Sequence, residues 1–318
     1  MEGAMADLTA DSVEELLRAE LARGDRAIAS ARPVLRHLLS SGDQSLFSQE
    51  VVARMRGMML DIARQLLTSC AADVVERDRA RFVTEREEEL AGALRDDAAL
   101  LSHLHALALE GRLAARLQAR SGIEPVLSPL LQDEIAAPDT GRAALAMATL
   151  AAQARFIQQH RRMELPLGEL PGELFHQALL LLRSQAGEGD PAARAAERRL
   201  RADFDEGASR LALIARLAAG AGQHGAQALA IDQAGLAIFA TALAAASGQE
   251  RELAILSLGE AQIMRLALAL RAAGLRDDAL QAQFLILHPQ AGAPEGFETL
   301  ARDHAAAMLA GSLAEAAG

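Results

Sequence analysis

The chain contains no lysine, asparagine, tyrosine or tryptophan, and all 32 of its basic residues are arginine. Without lysine there is no Schiff-base nucleophile, no Walker-type phosphate loop and no kinase-type phosphate lysine. Without tyrosine and tryptophan, the planar stacking surfaces come down to eight phenylalanines and eight histidines. The single cysteine, Cys70, excludes an intrachain disulfide and fits a reducing compartment. There is no Cys-x-x-Cys pair and no Gly-x-Ser-x-Gly elbow. The opening residues, Met1 to Asp7, lack the basic and then apolar pattern of a secretory signal. The longest uncharged stretch, Gln233 to Gln249, is alanine-rich and short for a bilayer span of about 20 apolar residues. A cytoplasmic protein with no membrane span is expected.

The missing Lys, Asn and Tyr share AT-rich codons, which points to a GC-rich bacterial genome. Charge also runs one way. Forty-three acidic residues against 32 basic leave a net charge of −11, which opposes binding to nucleic acid or to an anionic membrane. With 51% hydrophobic residues over 318 positions, the chain is long and apolar enough for a large core.

The residues present are strong helix formers: Ala, Leu, Arg, Glu and Gln. Val51, Met55, Met58, Ile62 and Leu66 recur at helical spacing, as do Leu200, Phe204, Leu211 and Ile214, and Leu280, Phe284 and Leu287. No run alternates as a strand would. The fold class expected is all-α, a multi-helix bundle or irregular helical-hairpin stack with no significant β-sheet. Ser12 with Glu15 reads as a capping box, and Ser48, Asp97, Thr140 and Asp277 as N-caps. Pro171, Pro191 and Pro294 suit first turns, and Gly24, Gly122, Gly187 and Gly274 suit helix ends. Pro33 is expected to kink or divide a helix. The prolines at 125, 129 and 138 mark a linker, giving an N-terminal helical domain over 1–122, a linker over 123–139 and a C-terminal helical domain over 140–318.

Several motifs fail on context. Gly220-x-Gly222-x-x-Gly225 matches a dinucleotide fingerprint but follows a helix rather than a strand, so a helix–helix connection is expected. Glu173-x-x-His176 has the spacing of di-iron ligands but occurs once, and no metal or other cofactor is expected. His103 and His105 are two residues apart, too few to share a helix face, and make a poor metal pair. Cys70 sits among apolar-periodic residues as an inert thiol. A helix-turn-helix over Glu252 to Leu275 would have only Arg265 and Arg271 as basic residues, thin for a groove reader.

The most distinctive stretch runs from Arg155 to His176. A helix is expected to end near Met163, ahead of a turn holding Pro166, Gly168 and Pro171. His160, Arg161 and Arg162 fall in its last turn, where cations favour the helix C-terminus. Arg155 and Arg162 share a helix face and could take an anion or an acidic partner. His160, Glu164 and Pro166 loosely mimic a phosphoacceptor box. Arg155, His160, Arg161, Arg162 and Glu164 are therefore the candidate interaction or anion site, with no catalytic residue assigned.

The segment Arg155-Phe156, Gln158-Gln159 and Arg161 through Pro171, together with Gln283 through Pro289 and Phe297, resembles an uncharacterised family of all-helical alphaproteobacterial proteins. That resemblance implies a helical fold and a bacterial source, and it supplies no catalytic residues. The function expected is non-enzymatic: a protein–protein interaction or regulatory module, with a protein partner and self-association as a homodimer. The alternatives are phosphotransfer through His160, or a small-ligand bundle with an Ala-lined pocket around Gly235 to Ser247.

Overall fold

A computed structural model describes residues 10–41, 49–187, 189–220, 225–294 and 300–316. The described residues form helices and no strand, so the fold is all-α. In chain order the helices are α1 (Ala10–Ser41), α2 (Gln49–Cys70), α3 (Glu76–Thr84), α4 (Glu87–Asp96), α5 (Ala98–Ser121), α6 (Pro129–Ile135), α7 (Thr140–Arg162) and α8 (Gly172–Ala186). Then follow α9 (Pro191–Asp203), α10 (Arg210–Ala219), α11 (Gly225–Ala228), α12 (Ile231–Ser247), α13 (Arg251–Ser257), α14 (Ile263–Ala272), α15 (Asp277–Leu287) and α16 (Arg302–Ala316).

Two hydrophobic cores organise them. One is built on α2, whose stripe from Val51 through Met55, Met58, Ile62 and Leu66 packs with leucines of α4, α5, α8 and α9. The other surrounds α12 and α14 and takes in α6, α10, α15 and α16. Three long helices enter both. Helix α1 gives Leu17 and Leu21 to one core and Leu35 and Leu39 to the other. Helix α5 contributes Leu100 and Leu104 to the first and Leu113 and Leu117 to the second, and α7 contributes Phe156 and Ala146. Residues on both sides of the 123–139 segment thus enter each core, and Gln153 of α7 holds that segment by donating to the Pro125 carbonyl at 2.8 Å.

Several expected helix ends are placed differently. Helix α1 runs unbroken through Gly24 and Pro33. Burying leucines in two cores, one on each side of Pro33, offsets the roughly 3 kcal/mol that a mid-helix proline costs. Gly24 is there for close approach: a Cβ would sit 2.4 Å from Gln262 Oε1, and Gln262 Nε2 donates to the Gly24 carbonyl at 2.9 Å. Ser12 lies inside α1 rather than at its start, and Ser48 falls outside the described residues. Asp97 caps α5 by accepting from Leu100 N at 2.8 Å. Asp139, not Thr140, caps α7, because its carboxylate reaches Gly141 N and Arg142 N at 2.8 and 3.0 Å. Arg276 precedes α15, leaving Asp277 in its first turn. Pro191 opens α9 as expected, Pro171 is the residue before α8, and Pro294 lies outside any helix. Gly122 and Gly187 follow their helices with positive φ, and Gly274 does so in the turn after α14.

No single helix among the described residues is long and apolar enough to cross a membrane. The uncharged stretch is α12, a core helix buried nearly all round. Its one irregularity is Gly235, at φ 69°, where the chain passes so close to α6 that a Cβ would lie 3.2 Å from Ser128 Cβ.

Candidate functional site

The candidate segment on α7 turns its aromatic and imidazole face inward and its arginines outward. Arg155, Arg161 and Arg162 are exposed and make no ion pair among the described residues, while Glu164 is half-buried. His160 is buried beneath α5. A Cβ on Gly111 would fall 1.9 Å from its Nε2, so only glycine at 111 admits the ring. Burial, with the nearby Arg54 charge adding to it, holds the His160 pKa down at about 4. A phosphoacceptor histidine needs an accessible ring nitrogen, and this residue is 6% exposed.

The last turn of α7 is capped from outside. Arg54 of α2 donates to the His160 carbonyl at 2.6 Å and pairs with Glu50 at 2.8 Å, so the cation at this helix end comes from another helix. Met163 follows in the left-handed region, at φ 60°, and Glu164 N donates back to Gln159 O at 2.9 Å. Gly57 on α2 makes room for it, since a Cβ there would lie 2.4 Å from Met163 Cβ. The Pro/Gly turn then docks on α2. Asp61 accepts from Leu165 N at 2.9 Å, and Gln65 donates to Leu165 O at 2.9 Å and accepts from Leu167 N at 3.0 Å. Burial raises the Asp61 pKa even though the Leu165 amide hydrogen bond works against it.

Beneath this segment lies a buried ionic cluster. Arg210 of α10 meets Glu110 of α5 through two hydrogen bonds of 2.7 and 3.0 Å, donates to Gln153 at 3.2 Å, and lies 3.6 Å from the centre of the Phe156 ring. Its backbone N–H donates to Glu169 at 2.7 Å. Arg251 of α13 approaches the same Glu110 at 3.0 Å and donates to Thr241 at 2.9 Å. Burial alone would raise the Glu110 pKa, but the two guanidinium groups outweigh it and hold the carboxyl well below the usual range. A second buried pair joins Arg265 of α14 to Asp25 of α1. In a chain without Tyr or Trp, Arg210 and Arg265 are the largest fully buried side chains among the described residues.

Above α5 opens a cleft of about 1010 Å³. Its walls are α1, the first two turns of α5, the start of α8 and α13. Ile28, Leu101, Leu253 and Leu256 give it apolar surface, and His103, His105, Glu250 and Glu252 give it polar surface. His103 Nδ1 lies 2.9 Å from Glu252 Oε1, and that hydrogen bond lowers the Glu252 pKa. Burial lowers the His105 pKa to about 4, so the ring is neutral near pH 7. His103 and His105 both line the cleft although they are two residues apart on α5. The stretch Ala98 to Leu109, uncharged apart from its two histidines and mostly Ala and Leu, is the signal that identifies α5 as a core helix. Glu252 and Asp25 lie too far from His103 in sequence for any spacing rule to join them.

The space beside Gly235 is a cavity of about 20 Å³, room for one water. Among the described residues no group of three metal-ligating side chains occurs, and Arg201 donates to His176 Nδ1 at 2.7 Å. Ala221 to His224 of the glycine motif lie outside the described residues. Arg265 is in its buried pair, and Arg271 donates to the Leu300 carbonyl at 2.6 Å, so neither is free to read a groove. Cys70 is buried, and burial pushes its thiol up to about 11. Compared with protein-family models, curated proteins and solved structures, the chain matches none.

Proposed function

We propose that this chain is a non-catalytic helical binding module, an interaction or regulatory protein of the cytoplasm, and that a protein partner inserts a segment into the cleft between α1, α5, α8 and α13. The cleft carries this reading. It is at the upper end of the range for ligand sites, combines apolar walls with a few placed polar groups, and is framed by helices far apart in sequence. The buried pairs Arg210–Glu110, Arg251–Glu110 and Arg265–Asp25 tie three of its framing helices, α1, α5 and α13, to the cores, which fixes the shape offered to a partner.

A photo-crosslinking side chain placed at Ala99, exposed on the cleft wall, should capture a discrete partner in source cells. The same probe at Ala144, exposed on α7 away from the cleft lining, should not. Equal capture from both positions, or none from Ala99, would overturn the assignment.

A further inference from the structure

Resting on the cleft as the partner site, we propose that its occupant is a cationic peptide segment in which arginine or lysine side chains stand beside apolar ones. The described ionisable side chains lining the cleft are five carboxylates and two imidazoles: Asp25, Glu173, Glu206, Glu250, Glu252, His103 and His105. Three of the carboxylates are engaged within the chain. Asp25 pairs with Arg265, Glu206 accepts from Gly172 N at 3.0 Å, and Glu252 meets His103. Glu173 and Glu250 are exposed and make no ion pair among the described residues.

His103 also lines the cleft and is 2% exposed, with Nδ1 2.9 Å from the Glu252 carboxylate and Nε2 buried without a hydrogen-bond partner. The carboxylates present acceptors. An anionic guest would meet repulsion, and a neutral apolar one would leave the acceptors unmet. Guanidinium and ammonium groups carry the matching donors. The apolar walls at Ile28, Leu101, Leu253 and Leu256 require apolar surface on the same guest, which a peptide has and a simple polyamine lacks. The net charge of −11 would speed the encounter.

The test is a selection of random 12-residue peptides against the full chain in physiological salt. It is run in parallel on Arg32→Ala, because Arg32 is a cation one helical turn from Ile28 on α1. Selected sequences should interleave basic and apolar residues. Their affinity should fall at least tenfold for Ala29→Trp or Ala99→Trp, which fill the cleft without changing charge, and at least tenfold for the triple change Glu173→Gln, Glu250→Gln and Glu252→Gln. Circular dichroism and melting temperature confirm that each variant folds. Peptides that lose affinity with the tryptophan variants but keep it with the glutamines would overturn the cationic assignment and leave the cleft as the site. Peptides indifferent to the tryptophans would overturn both. Absence of basic enrichment on both proteins, or competition by spermidine at peptide-like concentrations, would also overturn the proposal.

Discussion

Arg210 and Glu110 face each other through two parallel hydrogen bonds in the interior, a hundred residues apart in sequence, with Arg251 closing on the same carboxylate at 3.0 Å. One carboxylate thus serves two guanidinium groups. Glu110→Gln removes the one acidic side chain that pairs with both guanidinium groups among the described residues and is expected to destabilise the chain by about 3–5 kcal/mol, the cost of leaving buried charge uncompensated. Arg210→Met should cost less in a Glu110→Gln background than alone, since the buried charge falls as well. Urea denaturation of the two single variants and the double variant measures this coupling, and additive effects would mean that the pair is not energetically linked.

The contact between Gly111 and His160 makes a sharper steric prediction. Gly111→Ala puts a methyl group 1.9 Å from the ring, and overpacking of this kind costs about 1–3 kcal/mol. Adding His160→Ala should recover part of that loss. Gly92→Ala on α4 is the contrasting case, with the nearest atom 3.9 Å away, and should stabilise by up to about 1 kcal/mol. Thermal melts of all four proteins separate steric from propensity effects.

Acid sensitivity follows from the buried neutral histidines. His105 and His160 have folded pKa values near 4 against an ordinary value of 6.5. Between those values the unfolded chain binds protons that the folded chain refuses. Stability is therefore full above about pH 6.5 and falls as the pH drops towards 4, by up to roughly 3 kcal/mol for each ring. Glu110, whose pKa is lowered, acts in the same sense below the ordinary carboxylate range. The urea midpoint measured from pH 7.5 to pH 4 should decline, and Phe in place of His105 should flatten part of that decline. A midpoint independent of pH over this window would contradict the burial of these rings.

Cys70 should be silent towards thiol reagents in the native state. With its thiol near 11, about one molecule in a thousand would carry the thiolate at pH 8, and the side chain is buried besides. Full labelling is expected only in denaturant. Rapid native labelling would mean that α2 opens at its C-terminal end.

Helical class was legible along the chain because it depends on local facts. Apolar residues at helical spacing predicted α2 and α15, Asp97 was readable as a cap, and Gly122 and Gly187 as stops, since each acts within one turn of itself. The end of α7 near Met163 was readable for the same reason, as proline excludes helix from the residue before it. Gly24 and Pro33 misled because propensity is a weak prior and packing against two cores outweighed it. The segment from Arg155 to Glu164 was singled out by its charge, yet no local rule could say that His160 would face Gly111 or that its helix end would be capped by Arg54.

The sequence by itself determined the helices, the reliance on arginine for every permanent side-chain cation, and a surface that is acidic overall. Tertiary structure alone decided which arginines are buried and what they meet. Arg210 finds Glu110, and Arg265 finds Asp25, across 100 and 240 residues, separations over which spacing has no predictive force. It also decided where a cleft opens, because a cavity is a property of how α1, α5, α8 and α13 pack and belongs to none of them singly. Buried charges must be matched wherever packing places them, so their partners follow from the fold and not from position along the chain.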